Sequence, residues 1–457
     1  MKKIKFFAAL WVSKAVLLLC NLLKSRGSTT PGRIALKICP DFITVSAKKV
    51  KEKIILVCGT NGKTTTNNLI NSALEKAGYV TVCNKDGANM LSGIAAAFSK
   101  SMSFFGKMNA DFACLEVDEA NMPLLLKRLT PDIVAVSNLF RDQLDRYGEI
   151  DITANLLKKA FLLAPQATLV LNADDPVTSV FENKAKNVYY SICENPNMLF
   201  CNEIRDGSSC PKCGFALDYK YYNYGQLGRY VCKNCGYENP KALYNAKNIE
   251  IKDGVLSFRI DKGSDGEIDI KSSITGLYHV YNMLLAYSVC DILKIDSKIT
   301  AAVFEKRKPE PGRMSRFDIN GKCIYLILSK NPTGFNQSVT TVINDKRQKD
   351  ICLVLNDNAQ DGIDISWIYD VDFETMIKTN AASYTVTGIR KYDMYLRIKY
   401  AGADEKKMSV SDTIPSAIDY MIENGTCDVC YVLVNYTAMY PAYLHLTQLE
   451  KEDIKNG

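Results

Sequence analysis

A glycine-rich segment between an apolar run and a helical pattern carries the clearest chemical signal in the chain. Residues 59–66 read Gly-Thr-Asn-Gly-Lys-Thr-Thr-Thr and follow a strand-like run at 54–58. Glycines let a backbone wrap phosphate oxygens, and the free N–H groups at a helix start favour anions. A lysine here adds charge at the outer phosphates, and the following hydroxyl binds Mg²⁺. The segment predicts a nucleoside triphosphate site formed by Gly59, Thr60, Asn61, Gly62, Lys63, Thr64 and Thr65.

Magnesium also takes carboxylate oxygens, and an acidic group lies at the end of the next strand-like run, 112–117. Ligands gather at the carboxyl ends of parallel strands, so Glu116 and Thr64 are the predicted Mg²⁺ ligands. Asp118 and Glu119 fit equally well as the acidic first turn of a helix. The group at 172–176, Asn-Ala-Asp-Asp-Pro, is by itself a polar turn between a strand and a helix.

Four of the sixteen cysteines form two Cys-x-x-Cys-Gly knuckles, Cys210 with Cys213 and Cys232 with Cys235. This spacing predicts a Zn²⁺ site, and four thiolates leave no position open for water, so its role should be structural. A disulfide pair is the alternative, which a reducing compartment disfavours. The knuckles lie in a Cys-, Gly- and Tyr-rich stretch whose few cations do not suggest a nucleic-acid surface.

The composition is that of a soluble globular enzyme with several domains. The chain has 457 residues, of which 47% are hydrophobic and 23% charged. Most cysteines outside the knuckles lie in apolar runs, as expected for reduced thiols in a cytoplasmic protein. The net charge of +7 is concentrated in residues 1–53, which carry twelve Lys or Arg and two acids. The remaining chain is slightly acidic, which argues against a nucleic-acid binder.

The N-terminus combines basic and apolar residues. Lys2, Lys3 and Lys5 precede the apolar run 6–23. Lys14 interrupts the run, and it has no clear small-x-small cleavage site, so a signal peptide is disfavoured. Two interpretations stay open: an interfacial helix at the anionic inner face of the plasma membrane, or a helix docked on the protein's own surface.

Alternating strand and helix patterns predict how these residues are positioned. Strands are expected at 54–58, 112–117, 133–136 and 167–170, with helices after them, which indicates βαβ units and a parallel sheet. The alternation stops near residue 201 and resumes after the proline-rich segment 306–312, with strands at 323–328, 351–355, 384–386 and 429–434. The predicted organisation is an N-terminal segment (1–48), a central α/β domain (49–308) with an insertion at about 203–240, and a C-terminal α/β domain (309–457).

Five ordered motifs together resemble those of the Mur ligases and folylpolyglutamate synthases. They are the loop at 59–65, Ser-Asn-Leu at 137–139 with Asp-Gln-Leu-Asp at 142–145, the turn at 172–176, Gly-Leu-Tyr-His-Val-Tyr-Asn at 276–282, and Pro-Gly-Arg at 311–313. The resemblance covers about residues 50–457. It implies a P-loop central domain and a Rossmann-like C-terminal domain that bind ATP between them, phosphorylate a carboxylate and let an amine displace the phosphate. Asn282 and Arg313 should contact the nucleotide.

Departures from the family pattern point to one branch of it. Gln143 replaces the usual histidine of the Asp-His-Leu-Asp motif, His279 replaces a common asparagine, and only about fifty residues precede the phosphate loop, too few for a domain that holds a UDP-sugar. With the cysteine insertion, these features are similar to the synthetase subunits of lipid II isoglutaminyl synthase. That resemblance implies amidation of the D-glutamate α-carboxylate of lipid II, for peptidoglycan biosynthesis.

The source of the nitrogen is expected to be a partner. Glutamine hydrolysis ordinarily uses a cysteine activated by a histidine. Of the two histidines, His279 lies in the nucleotide motif and His445 in an apolar helical pattern, and there is no nucleophile elbow. The resemblance implies a heterodimer with a GatD-type glutaminase and favours Asp357 as the carboxylate that orients the partner's histidine. Asp361 is the neighbouring candidate, and an ordinary loop aspartate is the alternative for both.

The predicted catalytic residues are therefore Lys63, Glu116 and Asp357, with ATP, Mg²⁺ and structural Zn²⁺ as the predicted cofactors. Two other functions remain in view. One is an amino-acid ligase of the same family, which would use an amino acid in place of ammonia. The other is a zinc-ribbon NTPase that binds nucleic acid, which predicts hydrolysis stimulated by nucleic acid and no amide product.

Overall fold

The computed structural model describes residues 2–23, 27–85, 87–141, 150–194, 207–252, 255–274, 276–307 and 313–456. The side chains of Lys2, Arg313 and Asn456 are not described. The predicted Asp-Gln-Leu-Asp motif at 142–145, Pro-Gly at 311–312 and the Arg313 side chain therefore lie outside the described residues.

A nine-stranded sheet forms the centre of the first half of the chain. The strands up to residue 272 are β1 (Lys53–Cys58), β2 (Thr81–Cys83), β3 (Phe112–Glu116), β4 (Ile133–Val136), β5 (Thr168–Asn172), β6 (Lys186–Ile192), β7 (Asp218–Tyr224), β8 (Leu227–Val231), β9 (Tyr244–Lys252), β10 (Val255–Asp261) and β11 (Glu267–Ser272). The order in the sheet is β11-β10-β9-β6-β5-β4-β1-β3-β2. Neighbours from β2 to β9 are parallel, and β10 and β11 add an antiparallel edge.

Helices cover both faces of this sheet, because its central strands are apolar on both sides. The described helices of this half are α1 (Lys2–Leu22), α2 (Thr30–Ile38), α3 (Phe42–Ala47), α4 (Lys63–Lys76), α5 (Leu91–Ser101), α6 (Met122–Leu126), α7 (Ile150–Phe161), α8 (Leu277–Ile292) and α9 (Ser297–Lys306). Helices α4, α8 and α9 pack on one face, and α5, α6 and α7 on the other. Val57 pairs with Glu116 and Cys58 with Val136, so β1, β3 and β4 end at one edge.

A second, six-stranded sheet follows. Its strands are β12 (Arg313–Ile319), β13 (Lys322–Leu328), β14 (Lys349–Val354), β15 (Ala381–Thr387), β16 (Met408–Val410) and β17 (Val429–Val434). The order is β12-β13-β17-β14-β15-β16, parallel except for the hairpin of β12 and β13. Its helices are α10 (Pro332–Asn344), α11 (Phe373–Ile377), α12 (Lys391–Tyr400), α13 (Ile414–Asn424) and α14 (Tyr436–Asn456). The first three pack on one face and the last two on the other.

The predicted α/β fold class is confirmed, and so are the main strands predicted on either side of the insertion. The helix expected after the strand at 112–117 differs in detail, because the chain forms a 3₁₀ turn, Glu119–Asn121, and then the short α6. The motif at 276–282 lies at the start of helix α8, which begins at Leu277. The proposed domain boundaries at 48/49 and 308/309 stay predictions.

Helix α1 docks one of its faces on the protein. Phe6, Ala9 and Leu10 are buried against α2, α3 and α5. The opposite face exposes large apolar side chains, Trp11 and Leu22 among them. By length and composition Lys3–Leu22 is the one helix of the described residues that is able to cross a membrane. Both interpretations of this segment thus find support, each on a different face of the helix.

Candidate active site

The phosphate loop lies between β1 and α4, with glycine where the backbone requires it. Gly59 and Gly62 have φ angles of +119° and +87°, a region that favours glycine. A Cβ on Gly62 would lie only 2.0 Å from Asn282 Oδ1, so α8 packs Asn282 directly against the loop. Asn282 Nδ2 is buried without a hydrogen-bond partner among the described residues. This buried donor lies beside the loop.

The segment after β4, residues 137–140, is hydrogen-bonded to the phosphate loop. Ser137 Oγ donates to the carbonyl of Asn61 at 2.7 Å, and Asn138 Oδ1 accepts from the N–H of Asn61 at 3.0 Å. The N–H of Thr60 donates to the Asn138 carbonyl at 2.8 Å, and its hydroxyl bonds to the backbone of Phe140. The Ser-Asn-Leu motif therefore fixes the backbone of the loop from behind.

Lys63 is held inside the loop by a carboxylate. Its Nζ donates to the carbonyl of Gly59 at 2.6 Å and to Glu119 Oε1 at 3.0 Å. The same Glu119 oxygen accepts from the N–H of Gly59 at 2.8 Å. Asp118 caps the 3₁₀ turn by accepting from the N–H of Ala120, which agrees with its interpretation as part of an acidic first turn. Glu119, by contrast, positions Lys63 of the loop. This role of Glu119 was not predicted.

Thr64 and Glu116 face a common space beside Gly87. A Cβ built on Gly87 would lie 3.5 Å from Thr64 Oγ1 and 3.8 Å from Glu116 Oε2. Asn89 Nδ2 holds the other carboxylate oxygen of Glu116 at 3.0 Å, while Oε2 is buried without a hydrogen-bond partner among the described residues. A hydroxyl and an unsatisfied carboxylate oxygen are a donor set suited to Mg²⁺. The predicted pair thus fits the ion.

The turn at 172–176 is a structural anchor with two fully buried aspartates. Asp175 Oδ2 accepts from the N–H of Leu139 at 2.9 Å, which ties the turn to the segment behind the loop. Asp174 Oδ2 accepts from Tyr281 of α8 at 2.7 Å and from the N–H of Ile192 at 2.8 Å. Burial raises the pKa of each aspartate to about 6, although the hydrogen bonds oppose the shift. The turn therefore connects the loop, β6 and α8.

The loop opens into a cavity of about 630 Å³ whose other wall comes from the second sheet and its helices. Lys330, Gln337, Gln360 and Tyr436 lie on that wall. Asn331, which caps α10, donates from Nδ2 to Asn61 Oδ1 at 3.2 Å. An ion pair between Arg141 and Asp370 also connects the two halves of the chain. The arrangement closes a pocket of substrate size against the predicted nucleotide loop.

Asp357 and Asp361 differ in what they bind. Both Asp361 oxygens accept from Thr437 at the start of α14, from its N–H at 2.8 Å and from its hydroxyl at 2.5 Å. Asp357 Oδ2 accepts from Arg390 Nε at 2.6 Å, and the Arg390 side chain is 43% exposed. Asp361 is thus engaged in holding a helix, whereas Asp357 lies in an exchangeable pair near the surface.

The four knuckle cysteines come together as expected from their spacing. Their sulfur atoms all lie within 4.8 Å of one another. Backbone hydrogen bonds from Gly214 to Cys210 and from Gly236 to Cys232 close the two knuckles, and both glycines have positive φ. Cys210 and Cys235 sulfurs are 3.6 Å apart and all four thiols are free, so the disulfide alternative is wrong. The cluster is of a size that binds one tetrahedral metal ion.

The two histidines lie apart in the structure. His445 Nε2 is 2.6 Å from Asp419 Oδ1 near the surface of the second half. His279 is buried on α8, with its ring tilted by 41° against that of Tyr278 at 4.2 Å between centroids. His445 is thus a histidine paired with a carboxylate, away from the phosphate loop.

Apart from Glu119, sequence reasoning missed Asn89 and the contact of Asn331 with the loop. Asn89 holds Glu116, and Asn331 connects the phosphate loop to the N-terminus of α10. The residues after Asn331, Pro-Thr-Gly, indicate only a helix start and gave no sign of this contact. Asn89 carried no signal, because an asparagine before a helix has many ordinary uses.

Comparison with known proteins agrees with this geometry. The model of the Mur ligase middle domain matches residues 57–290. The fold is shared with a pseudomurein peptide ligase type C from Methanothermus fervidus (TM-score 0.68, 22% identity, 89% of this chain and 80% of that one). It is also shared with a MurF ligase from Thermotoga maritima in complex with ADP (TM-score 0.64, 13% identity, 93% and 85%). Fold and loop together define a protein of the Mur ligase class.

Relatives of similar length show to which family within the Mur ligase class the chain belongs. The model of the MurT ligase C-terminal domain matches residues 328–439. The MurT subunit of lipid II isoglutaminyl synthase (glutamine-hydrolyzing) from Streptococcus pneumoniae is 33% identical, over 91% of each chain. Its counterpart from Staphylococcus aureus is 34% identical, over 91% of this chain and 92% of that one. The chain belongs to the MurT family of the Mur ligases.

Proposed function

We propose that this chain is the synthetase subunit of a lipid II isoglutaminyl synthase and acts in peptidoglycan biosynthesis. It would use ATP to activate the D-glutamate α-carboxylate of the lipid II stem peptide, which ammonia then converts to the amide of D-isoglutamine. The observation that carries the proposal is the identity of 33–34% along 91% of the chain with relatives that have this activity in their names. The loop, the carboxylate site beside it and the enclosed cavity supply the parts that the reaction needs.

In the first step an oxygen of the substrate carboxylate attacks the γ-phosphorus of ATP. The bond from that phosphorus to the bridging oxygen breaks, and ADP leaves with the electron pair. The N–H groups of the loop and Lys63 stabilise the negative charge on the transferred group. Lys63 would exchange its bond to the Gly59 carbonyl for the phosphates, while Glu119 keeps it within reach. Asn282 and Arg313 are proposed to contact the nucleotide.

Thr64 Oγ1 and Glu116 Oε2 would hold Mg²⁺. When bound, the ion supplies positive charge to the β- and γ-phosphate oxygens. Asn89 orients the Glu116 carboxylate by occupying its other oxygen. The chain's own contribution is thus a fixed pair of ligands next to the loop.

In the second step ammonia attacks the acyl carbon, and inorganic phosphate leaves with the electron pair of the C–O bond. A proton passes from the new nitrogen to the departing phosphate. Water would compete for the acyl phosphate, so closure of the cavity by the second half of the chain protects it. The bonds from Asn331 to Asn61 and from Arg141 to Asp370 support this closed arrangement.

Ammonia is proposed to come from a GatD-type glutaminase subunit in a heterodimer. Asp357 is the better candidate than Asp361 for the carboxylate that would orient the partner's histidine. Its present partner is a half-exposed arginine, which can move, whereas Asp361 is bonded twice to Thr437. Asp357→Asn should therefore abolish amidation with glutamine but not with free ammonia.

The chain is proposed to work in the cytoplasm at the inner face of the plasma membrane, with Zn²⁺ in the cysteine cluster as a structural cofactor. The exposed apolar face of α1 supports the membrane location, because its substrate carries a lipid. Zinc is supported by four thiols at tetrahedral spacing.

The test is amidation by the chain purified together with its partner. Lipid II, ATP, Mg²⁺ and glutamine should yield a product one dalton lighter, since an OH becomes an NH₂. Lys63→Ala should lower the rate by about a hundredfold or more, because it removes a charge from the transition state. The exposed Lys127→Gln serves as a matched control and should behave as wild type. An amide formed only when an amino acid is supplied would favour the amino-acid ligase, and hydrolysis stimulated by nucleic acid would favour the NTPase.

A further inference from the structure

A second cavity, of about 510 Å³, lies between α1, α5 and β2. Lys14, Leu17 and Leu18 of α1 form one wall. Lys85, after β2, and Lys100, on α5, lie on the others. We call it the α1 cavity. None of the residues discussed for phosphoryl transfer lies in it, so it is separate from the site described above.

The lining of the α1 cavity suits an anion. Lys85 is paired with Glu75 at 2.8 Å, whereas Lys14 and Lys100 have no carboxylate partner among the described residues. Lys14 lies over the ring of Phe104, 5.3 Å from its centroid. Asn21, Ser28 and Ser101 add polar groups to the lining. Two unneutralised ammonium groups with amide and hydroxyl donors match a diphosphate in charge and in hydrogen bonding.

Two segments of the chain separate the α1 cavity from the active-site cavity. Gly27 and Ser28 line the former, and the next residue, Thr29, lines the latter. On the other side Asn84 lines the α1 cavity and bonds through its side chain to both the N–H and the carbonyl of Glu116, each at 2.8 Å. Only Asn84 and its neighbours would thus separate a molecule bound in the α1 cavity from Glu116, the proposed Mg²⁺ ligand.

The outer side of the α1 cavity is an apolar helix face. Ile4, Trp11, Leu18 and Leu22, spaced by seven, seven and four residues, form one stripe of α1 and are 54–81% exposed. Phe105, in the turn beside Trp11, is 88% exposed. Because the opposite face of α1 is packed in the core, the helix cannot be surrounded by lipid; it can only lie along a membrane surface.

We propose that the α1 cavity binds the diphosphate group of a lipid-linked substrate, whose lipid lies in the membrane contacted by the exposed stripe of α1. The inference rests on the proposed function, since it assigns a place to the part of that substrate between lipid and peptide. Lys14 and Lys100 bind the diphosphate, and the peptide extends past the wall at residues 27–29, 84–85 and 87–89 into the active-site cavity. These lysines act in binding, not in the chemistry.

The test compares two substrates of the purified heterodimer at saturating ATP. One is lipid II, and the other is a muramyl peptide that has the same stem but neither diphosphate nor lipid. The double variant Lys14→Gln/Lys100→Gln should raise KM for lipid II by about tenfold or more, with kcat within about twofold, because two charge-assisted contacts are lost. Its kcat/KM for the muramyl peptide should equal that of wild type. Lys127→Gln is the matched control.

A third arm distinguishes a diphosphate from general membrane charge. Binding to anionic vesicles without lipid II is measured by flotation for wild type and the double variant. Equal vesicle binding with a raised KM supports the proposal. A variant that loses vesicle binding, an unchanged KM for lipid II, or an equal loss on the muramyl peptide would each overturn it. If wild type amidates neither substrate, it is the proposed function that fails.

Discussion

The lysine of the phosphate loop owes its position to a carboxylate far along the chain. Glu119 bonds both Lys63 and the N–H of Gly59, so one side chain sets the shape of the loop and the place of its charge. Asn89 fixes Glu116 by a hydrogen bond in the same way, and Asn282 packs directly against Gly62 of the loop. At this scale the site consists of a local motif and a ring of distant polar groups that orient it.

Glu119→Ala should therefore weaken ATP use without preventing folding of the sheet. Loss of a charge-assisted hydrogen bond lets Lys63 leave its position, and kcat/KM for ATP should fall by about 10- to 100-fold. Glu119→Gln keeps the bond from Gly59 but loses the charge, so its loss should be smaller. Steady-state amidation at varied ATP checks both, with the exposed Glu182→Gln as control. Wild-type kinetics of Glu119→Ala would show that Lys63 needs no such support.

At the scale of elements, the cysteine insert is tied to the active site through the turn that follows β5. Tyr237 donates to the carbonyl of Pro176 at 2.9 Å, and Asn239 Nδ2 to that of Ala173 at 2.9 Å. Gln226, between β7 and β8, donates to the carbonyl of Leu139 behind the phosphate loop. The insert thus holds in place the segments that support the phosphate loop. A metal ion bound by the insert would therefore stabilise the active site without contacting it.

Loss of the metal should consequently lower both stability and activity. Wild type is expected to contain about one zinc per chain, because four thiolates fill a tetrahedral site. Cys213→Ser/Cys235→Ser should lose it, unfold at lower temperature and show reduced amidation. Elemental analysis and thermal unfolding measure the effects. The exposed Cys193→Ser, outside the cluster, should keep its zinc; full stability of the metal-free double variant would contradict the bracing role.

The whole molecule consists of two α/β halves with the active-site cavity between them, and its stability depends on charges buried between elements. Asp174 and Asp175 join β6, α8 and the support of the loop. Among the described residues neither forms an ion pair; hydrogen bonds compensate their burial, with a smaller contribution from the charge of Arg229 at Asp174. The free energy of unfolding should therefore depend on pH.

Stability should fall as pH rises from about 4 to about 6. Burial raises the pKa of Asp174 and of Asp175 from 3.8 to about 6, so in this range the folded state binds more protons than the unfolded state. Each group contributes a loss of about 3 kcal/mol at most, which is complete above about pH 6. Urea unfolding across this range measures it. Asp175→Asn should show a shallower decline than wild type, whereas equal slopes would contradict the raised pKa of Asp175.

The sequence alone determined the parts whose physics is local. The spacing of Gly59, Gly62 and Lys63 predicted a phosphate loop, because glycine suits the backbone of such a turn and lysine supplies its charge. Alternating apolar runs predicted the parallel strands, and the spacing of Cys210, Cys213, Cys232 and Cys235 predicted the cluster. The motifs in order along the chain also identified the ligase family.

Tertiary structure decided what depends on groups distant in sequence. That Glu119, and not only the loop, positions Lys63 follows from how the end of β3 lies against β1. Asp361 is hydrogen-bonded to Thr437 because α14 begins beside it, whereas Asp357 is paired with the half-exposed Arg390. The two faces of α1 were indistinguishable as an apolar run, because burial is a property of the neighbours that α2 and α5 provide and not of the run itself.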